Sequence, residues 1–168
     1  MHNLNAFTPQ EGAITFSADP ALHGIGAGVW QDRTLIWGGY IPRPKSAPRR
    51  GPEAWRRIAL AVAGEFRGLR PHYVVVEQMQ VYKDADTDPA DLLELAGVGG
   101  ALAALATVQA FGYLPRTWKG QVPPEVLSAR LQGHLAKKDW SRRVQFTGTQ
   151  RDQDILHGIG VGWFHFGL

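Results

Sequence analysis

The segment YVVVE, residues 73–77, limits the possible folds of this chain more than any other feature. Its continuous run of apolar, mostly β-branched residues is typical of a strand that is covered on both faces. Such strands belong to layered α/β structures, in which helices pack on each side of a sheet. The run ends in Glu77, and a buried carboxylate persists only when it is paired, hydrogen-bonded or bound to a metal ion. Glu77 is therefore either a structural acid with local partners or a ligand of a cation.

Three strands are predicted before this one, at residues 13–20, 24–31 and 34–41. The first ends in the turn signal Asp19-Pro20, and the short gap at Asp32-Arg33 indicates a hairpin, so we expect an antiparallel meander. The following stretch, PRPKSAPRRGP, is rich in proline and arginine. It is unsuited to a strand and is predicted to be a mobile loop.

Helices alternate with strands in the rest of the chain. Apolar residues recur at helical spacing from Glu53 to Phe66, and Asp88 followed by Pro89 is a typical helix start. We further predict a helix over residues 87–106, a strand at 108–115, and helices at 123–138 and 151–167. The order β-β-β-α-β-α-β-α-α predicts one α/β domain over residues 1–168 with a mixed five-stranded sheet.

Composition narrows the chemistry and the compartment. The chain contains no cysteine, which excludes disulfides, thiolate metal sites and thiol nucleophiles. The first ten residues have neither a basic nor an apolar signal region, and no apolar stretch has the length of a membrane span. We therefore expect a cytoplasmic protein that does not contact a membrane.

The charges are unevenly distributed, although the net charge is only +3. Eight of the 18 basic residues lie between Ile41 and Arg70, and five acids lie between Asp84 and Glu94. Clustered basic residues suit a polyanionic partner, because neutralising phosphates releases counterions. Solvated helix faces give similar counts, so a nucleic-acid partner and an ordinary charged surface both stay open on charge alone.

Three acids lie where predicted scaffold elements end: Asp19 after the first strand, Glu77 after the fourth, and Asp154 near the start of the last helix. Open α/β sheets bind ligands beyond their strand ends, so these side chains can converge. Converging carboxylates repel one another unless divalent cations neutralise them. The pattern therefore indicates Mg²⁺ or Mn²⁺, and two such ions can support phosphoryl displacement by water. Each acid alone could instead cap a turn or a helix.

Several segments resemble RuvC-type Holliday junction resolvases, most closely the bacteriophage-type branch. The similar segments are ITFSADPALHGIGAGVW, VVVEQMQVY with DPADLLELAGVGGALAA, LPRTWKGQVPPEVLSARL and DQDILHGIGVGW. Their shared order and spacing carry the resemblance. It implies a ribonuclease H-like fold and a homodimer in which each subunit cuts one strand of a four-way DNA junction, with Mg²⁺ (or Mn²⁺) as cofactor and no small-molecule substrate.

By the same resemblance, Asp19, Glu77 and Asp154 are metal ligands. The family usually has a further Asp or His three residues before the last acid, and Arg151 stands there in this chain. Asp152 is the nearest replacement, and His157 is a second, weaker candidate. Lys119 is expected to act as a phosphate contact or a cation that stabilises the transition state.

Further residues are expected at the DNA. Met79 and Tyr82 lie where the family wedges the opened junction, although plain packing explains them as well. Four arginines are expected to contact phosphates of the duplex arms: Arg49, Arg50, Arg56 and Arg57. For the last two, a solvated helix face is an equally good explanation. Two alternative functions stay open: a nuclease of this fold that acts on other branched DNA or on RNA-DNA hybrids, and a catalytically silent junction-binding module.

Overall fold

The computed structural model describes residues 7–66, 70–80, 88–120, 122–136 and 142–168. Within these ranges the chain forms one five-stranded sheet flanked by helices. None of the helices in the described part of the chain is long and apolar enough to cross a membrane.

The sheet is mixed, with strand order β3-β2-β1-β4-β5. Its strands are β1 (Ile14–Ala21), β2 (Gly24–Gln31), β3 (Thr34–Pro42), β4 (Tyr73–Glu77) and β5 (Gln109–Tyr113). The first three form the expected antiparallel meander, and β4 and β5 add to β1 in parallel. The predicted mixed five-stranded sheet is confirmed.

The described ranges contain five helices: α1 (Pro52–Glu65), α2 (Pro89–Ala103), α3 (Pro115–Trp118), α4 (Pro124–Ala136) and α5 (Arg151–His165). The short α3 was not predicted, and the other elements follow the predicted order. Asp88 caps α2 as expected, since its side chain accepts a hydrogen bond from the backbone N–H of Ala90.

The strand β1 extends further than the sequence predicts. Pairing with β2 continues through Pro20 to Ala21, so Asp19 lies inside the strand and not after it. Pro20 is tolerated because the pairing of β1 with β4 stops at Ala18, and no ladder hydrogen bond is lost on that side.

Two apolar cores cover the two faces of the sheet. On one face, Phe16 and Val74 pack with Ile58 of α1 and Val98 of α2. On the other face, α5 lies across the sheet with Ile155 and Ile159 fully buried, and α4 packs beside it. Every residue of β4 is buried, which agrees with the prediction of a strand covered on both faces.

The helix α5 comes unusually close to β2. A Cβ atom added at Gly158 would lie 2.1 Å from the backbone oxygen of Gly26, and one added at Gly26 would lie within 2 Å of the Asp154 backbone. Only glycine at both positions permits this contact. The glycines of the last segment therefore do not disrupt the helix but set its distance from the sheet.

The loop rich in proline and arginine, predicted to be mobile, is anchored to the two helices on its face. The Arg43 guanidinium donates to the backbone oxygens of Pro48 and Arg49 and forms an ion pair with Glu94 at 3.1 Å. Glu94 is only 2% exposed and also accepts hydrogen bonds from Gly51 N–H and the Trp55 indole. The sequence does not reveal these contacts, because Glu94 lies more than forty residues further along the chain.

Candidate active site

Glu77 ends β4 with only 5% of its surface exposed, and its carboxylate has two partners from the segment that follows β5. The Trp118 indole N–H donates to Oε2 at 2.8 Å. The Lys119 ammonium lies 3.0 Å from Oε1 and 3.2 Å from Oε2. Because β5 runs parallel to β4, the short α3 after it begins at the same end of the sheet and places both side chains beside Glu77.

Asp19 reaches the same edge from the neighbouring strand. The register pairs Ala18 with Val76, so Asp19 and Glu77 are the next residues on two adjacent parallel strands. Asp19 is 8% exposed. Two buried carboxylates therefore come together, as the sequence predicts.

The helix α5 supplies a third acid and an imidazole. Asp154 and His157 are one turn apart and share a helix face. Nδ1 of His157 lies 3.3 Å from Oδ2 of Asp19 and 3.4 Å from the Lys119 ammonium. Asp154 is half-buried near Asp19. The close contact of α5 with β2 brings this helix face within reach of the strand ends.

The electrostatics of the cluster favour an additional cation. Burial, and after it the negative charge of Asp19, raise the pKa of Glu77, and the nearby Lys119 does not offset them. Burial and Asp19 likewise raise the pKa of Asp154, with His157 and Arg151 acting in the opposite direction. Both carboxyl groups are thus destabilised in their charged forms by burial and by the charge of Asp19. A bound cation would relieve this.

The donor set fits a divalent metal ion. One ligand atom each from Asp19, Glu77 and His157 lie within 4.8 Å of one another, close enough to share an ion after small side-chain adjustments. The carboxylate oxygens suit Mg²⁺ and Mn²⁺, and the one imidazole nitrogen makes the set less suited to Mg²⁺ than all-oxygen ligation would be. Asp154 adjoins this set.

Asp152 lies elsewhere. Its carboxylate accepts hydrogen bonds from the backbone N–H and hydroxyl of Thr147, at 2.6 and 2.8 Å, and from Gly148 N–H at 3.0 Å. These contacts close the turn that precedes α5, since the helix begins at Arg151 and Asp152 is already within its first turn. The structure therefore brings His157, and not Asp152, to Asp19.

The residues expected at the DNA lie in different surroundings. Met79 lines a cavity of about 510 Å³ between α2 and the ends of β4 and β5. Arg50 is paired with Asp88 and Asp91, at 3.1 and 2.6 Å, and Arg49 is exposed. Tyr82 lies outside the described residues. Lys119 is the one member of this group, among those that the structure describes, found in contact with the acid cluster.

Sequence reasoning missed two aromatic side chains of the site, Trp118 and Tyr40. Tyr40 lies in β3 directly across from Gly26, which in turn lies across from Asp19. Burial raises its pKa, and the charges of Arg151 and Asp154 both act on it. The two-residue hairpin at Asp32-Arg33 alone would pair Gly26 with Gly39. The bulge between Val29 and Trp30 shifts the register by one residue and brings Tyr40 into line with Asp19, and no local pattern in the sequence signals that bulge.

Comparison with solved structures finds this architecture in Holliday junction resolvases. A structure of Thermus thermophilus RuvC in complex with Holliday junction substrate matches with a TM-score of 0.63 and 18% identity, over 91% of this chain and 92% of that chain. A second Thermus thermophilus RuvC structure matches with a TM-score of 0.56 and 18% identity, over 90% and 92%. The yeast mitochondrial Holliday junction resolvase Ydc2 matches with a TM-score of 0.53 and 11% identity, over 92% and 79%. No protein-family model and no curated protein matches the chain.

These matches establish the fold. The chain has the ribonuclease H-like architecture of RuvC and Ydc2, with a mixed five-stranded sheet and flanking helices along most of its length. The fold expected from the sequence resemblance is confirmed. Since one fold hosts many activities, the chemistry has to be argued from the site itself.

Proposed function

We propose that this protein is a divalent-metal-dependent endonuclease that resolves four-way DNA junctions. The observation that carries the proposal is the cluster of Asp19, Glu77, Asp154 and His157 at one edge of the sheet, in the fold that RuvC also has. Buried carboxylates brought together in this way are unfavourable without a cation. One of the similar RuvC structures is a complex with a Holliday junction substrate, which supports branched DNA as the partner here.

Asp19, Glu77 and His157 would hold the cation, with Asp154 completing the set, and Mg²⁺ or Mn²⁺ is the expected ion, two per site. When bound, such ions activate a water and stabilise the leaving oxygen in the hydrolysis of a phosphodiester. The protein contributes the positions of its ligands, which are fixed by two strands and a helix and not by loops. Trp118 fixes the Glu77 carboxylate through its N–H, and Lys119 supplies a positive charge beside the reacting phosphate.

We further propose that two subunits act as a homodimer, because resolution of a junction needs two paired cuts. Branched DNA is then bound by both subunits, each offering one acid cluster. A dimer of this kind is expected to cut two strands of the same junction, whereas a monomer would leave singly nicked junctions. Sedimentation of the free protein and the yield of doubly cut product test this part.

The main experiment changes single ligands to their amides. Asp19→Asn and Glu77→Gln are expected to lower junction cleavage in Mg²⁺ or Mn²⁺ by more than about 100-fold while junction binding is retained. Glu65→Gln is the matched control, since Glu65 is an exposed acid at the C-terminal end of α1. Full cleavage by either ligand variant would refute the metal site.

A panel of substrates separates the alternatives of the same fold. Four-way junctions, nicked and forked duplexes and RNA-DNA hybrids are incubated with equal amounts of protein. Preference for the four-way junction is expected. Equal cutting of the hybrid duplex would assign the protein to a less selective nuclease, and binding without cutting in either metal would assign it to a junction-binding module.

A further inference from the structure

A polar hollow adjoins the acid cluster on the side of Asp154. It has a volume of about 870 Å³ and is formed by the β1-β2 turn, β3 and the start of α5. The side chains that matter here are His23, Tyr40, Arg151 and Asp154. The hollow thus shares Asp154 with the acid cluster and extends from it toward β3.

Arg151 is held in this hollow by an aromatic ring. Its guanidinium carbon lies 5.0 Å from the centroid of the Tyr40 ring, which is the geometry of a cation–π contact. The Tyr40 ring in turn lies over Gly24, where an added Cβ would meet the ring at 2.5 Å. The ring position, and with it the position of Arg151, is therefore set by a glycine of the neighbouring strand.

The charge of Arg151 is available to a ligand. The guanidinium groups of Arg50, Arg56 and Arg57 are paired with carboxylates, whereas Arg151 forms no ion pair within the described ranges. Its side chain is exposed. A guanidinium presents several N–H donors in a planar fork, which matches the oxygens of a phosphate.

The position of Arg151 relative to the acids defines what it can reach. Asp19, Gly26 and Tyr40 are aligned across three adjacent strands, so Tyr40 is two strand spacings, roughly 9–10 Å, from Asp19. The Asp154 backbone covers Gly26 between them. A DNA strand whose scissile phosphate contacts Asp19 and Asp154 can therefore place its next phosphate in the hollow.

We propose that Arg151, positioned by the ring of Tyr40, binds the phosphate adjacent to the scissile phosphate on the cleaved DNA strand. This inference rests on the proposed nuclease function. It also gives the arginine a role at a position where the resemblance leads one to expect a metal ligand. The helix face that reaches Asp19 carries Asp154 and His157, which lie further along α5. Arg151 is therefore not needed as a metal ligand and can bind the DNA strand.

The test measures junction binding in a Glu77→Gln background, in which the DNA stays intact. Arg151→Ala is expected to weaken binding about 10-fold and to reduce the slope of log K against log [salt] by about 0.9, the value for one lost phosphate contact. Arg70→Ala is the matched control, because Arg70 is exposed and precedes β4 at the end opposite to Glu77. It is expected to change binding less than twofold. Thermal unfolding of each variant checks that it is folded.

Substitution of single phosphates by uncharged methylphosphonates locates the contact. A methylphosphonate next to the cleavage position is expected to weaken binding of the parent protein about 10-fold and to have no further effect on Arg151→Ala. Tyr40→Phe, which keeps the ring, should behave as the parent, and Tyr40→Leu should lose part of the methylphosphonate effect.

The outcomes distinguish this inference from the nuclease proposal. If the parent cuts junctions but Arg151→Ala binds like Arg70→Ala, or retains the full methylphosphonate effect next to the cut, the phosphate contact is refuted and the nuclease proposal stands. If the parent neither binds nor cuts junctions, both are refuted.

Discussion

Alanine at Gly158 tests whether the contact between α5 and β2 positions the candidate site. The methyl group would lie 2.1 Å from the Gly26 oxygen, whereas real Cβ contacts are at least 3.0 Å, so α5 has to move by about 1 Å. Both groups in the clash are backbone or fixed to it, and no side-chain rotation relieves it. Overpacking of this kind costs about 3 kcal/mol, of which the helix propensity of alanine recovers about 1 kcal/mol. We expect a net destabilisation of about 2 kcal/mol.

Gly133→Ala is the matched control, because Gly133 is also an interior helical glycine but has nothing within 4 Å of an added Cβ. It gains the same helix propensity without the clash, and we expect it to be stabilising by about 1 kcal/mol. Urea unfolding of the two variants should therefore differ by about 3 kcal/mol.

The same displacement is expected to reduce catalysis. A shift of about 1 Å in α5 moves Asp154 and His157 away from Asp19, and misplacement of this size typically costs about 100-fold in rate. Junction cleavage is measured under conditions where Gly158→Ala remains folded. If Gly158→Ala proves as stable as Gly133→Ala, the close contact of α5 with β2 does not exist as described. If Gly158→Ala cuts junctions at the parental rate, the contact does not position the site.

Three further predictions concern single side chains. His157→Ala is expected to weaken Mn²⁺ binding by about 10- to 100-fold, measured by calorimetry, whereas Asp152→Asn leaves it unchanged, and the reverse result would make Asp152 the ligand. Lys119→Met removes a cation that competes for Glu77, so Mn²⁺ should bind about 10-fold more tightly while the metal-free protein loses stability; weaker binding would contradict this. Burial lowers the pKa of His165 from 6.5 to about 4, so the folded state disfavours its protonation, and stability falls as the pH drops below 6.5 toward 4. Between pH 7 and 5 His165→Phe should lose about 2 kcal/mol less than the parent in urea unfolding, and an equal loss would refute this origin of the acid sensitivity.

The sequence predicts those features that depend on local pattern. The β-branched run before Glu77 predicts a buried strand, and Asp88 with Pro89 predicts the start of α2, because solvent exclusion and helix capping act over a few residues. The meeting of Asp19 with Glu77 follows from the same logic, since the pairing of the parallel neighbours β1 and β4 stops just before both acids, at one edge of the sheet.

Features set by distant contacts were not predictable in this way. Whether Asp152 or His157 faces Asp19 depends on where α5 begins and how it rotates on the sheet. The hydrogen bonds of Asp152 in the preceding turn fix where α5 begins, and the contact of Gly158 with Gly26 fixes its rotation. Neither feature leaves a signal in the local sequence. The anchoring of the arginine-rich loop is similar, because Arg43 and Glu94 meet only in the folded chain. Helical spacing shows which residues of a helix share a face, but it does not show which face is turned toward the neighbouring elements.

Two positively charged side chains, Lys119 and Arg151, lie on opposite sides of the clustered acids. This arrangement bears on how the metal-free protein tolerates those acids. Lys119 contacts Glu77 from the side of β5, and Arg151 acts on Asp154 from the side of β3. Each lowers the pKa of its neighbouring acid, yet both pKa values stay raised because burial, and after it the charge of Asp19, outweighs the cations. The flanking cations therefore stabilise the folded protein without neutralising the centre. A divalent ion at the centre would compensate all the acids at once, and Lys119 and Arg151 would then be available to the phosphates of a bound strand.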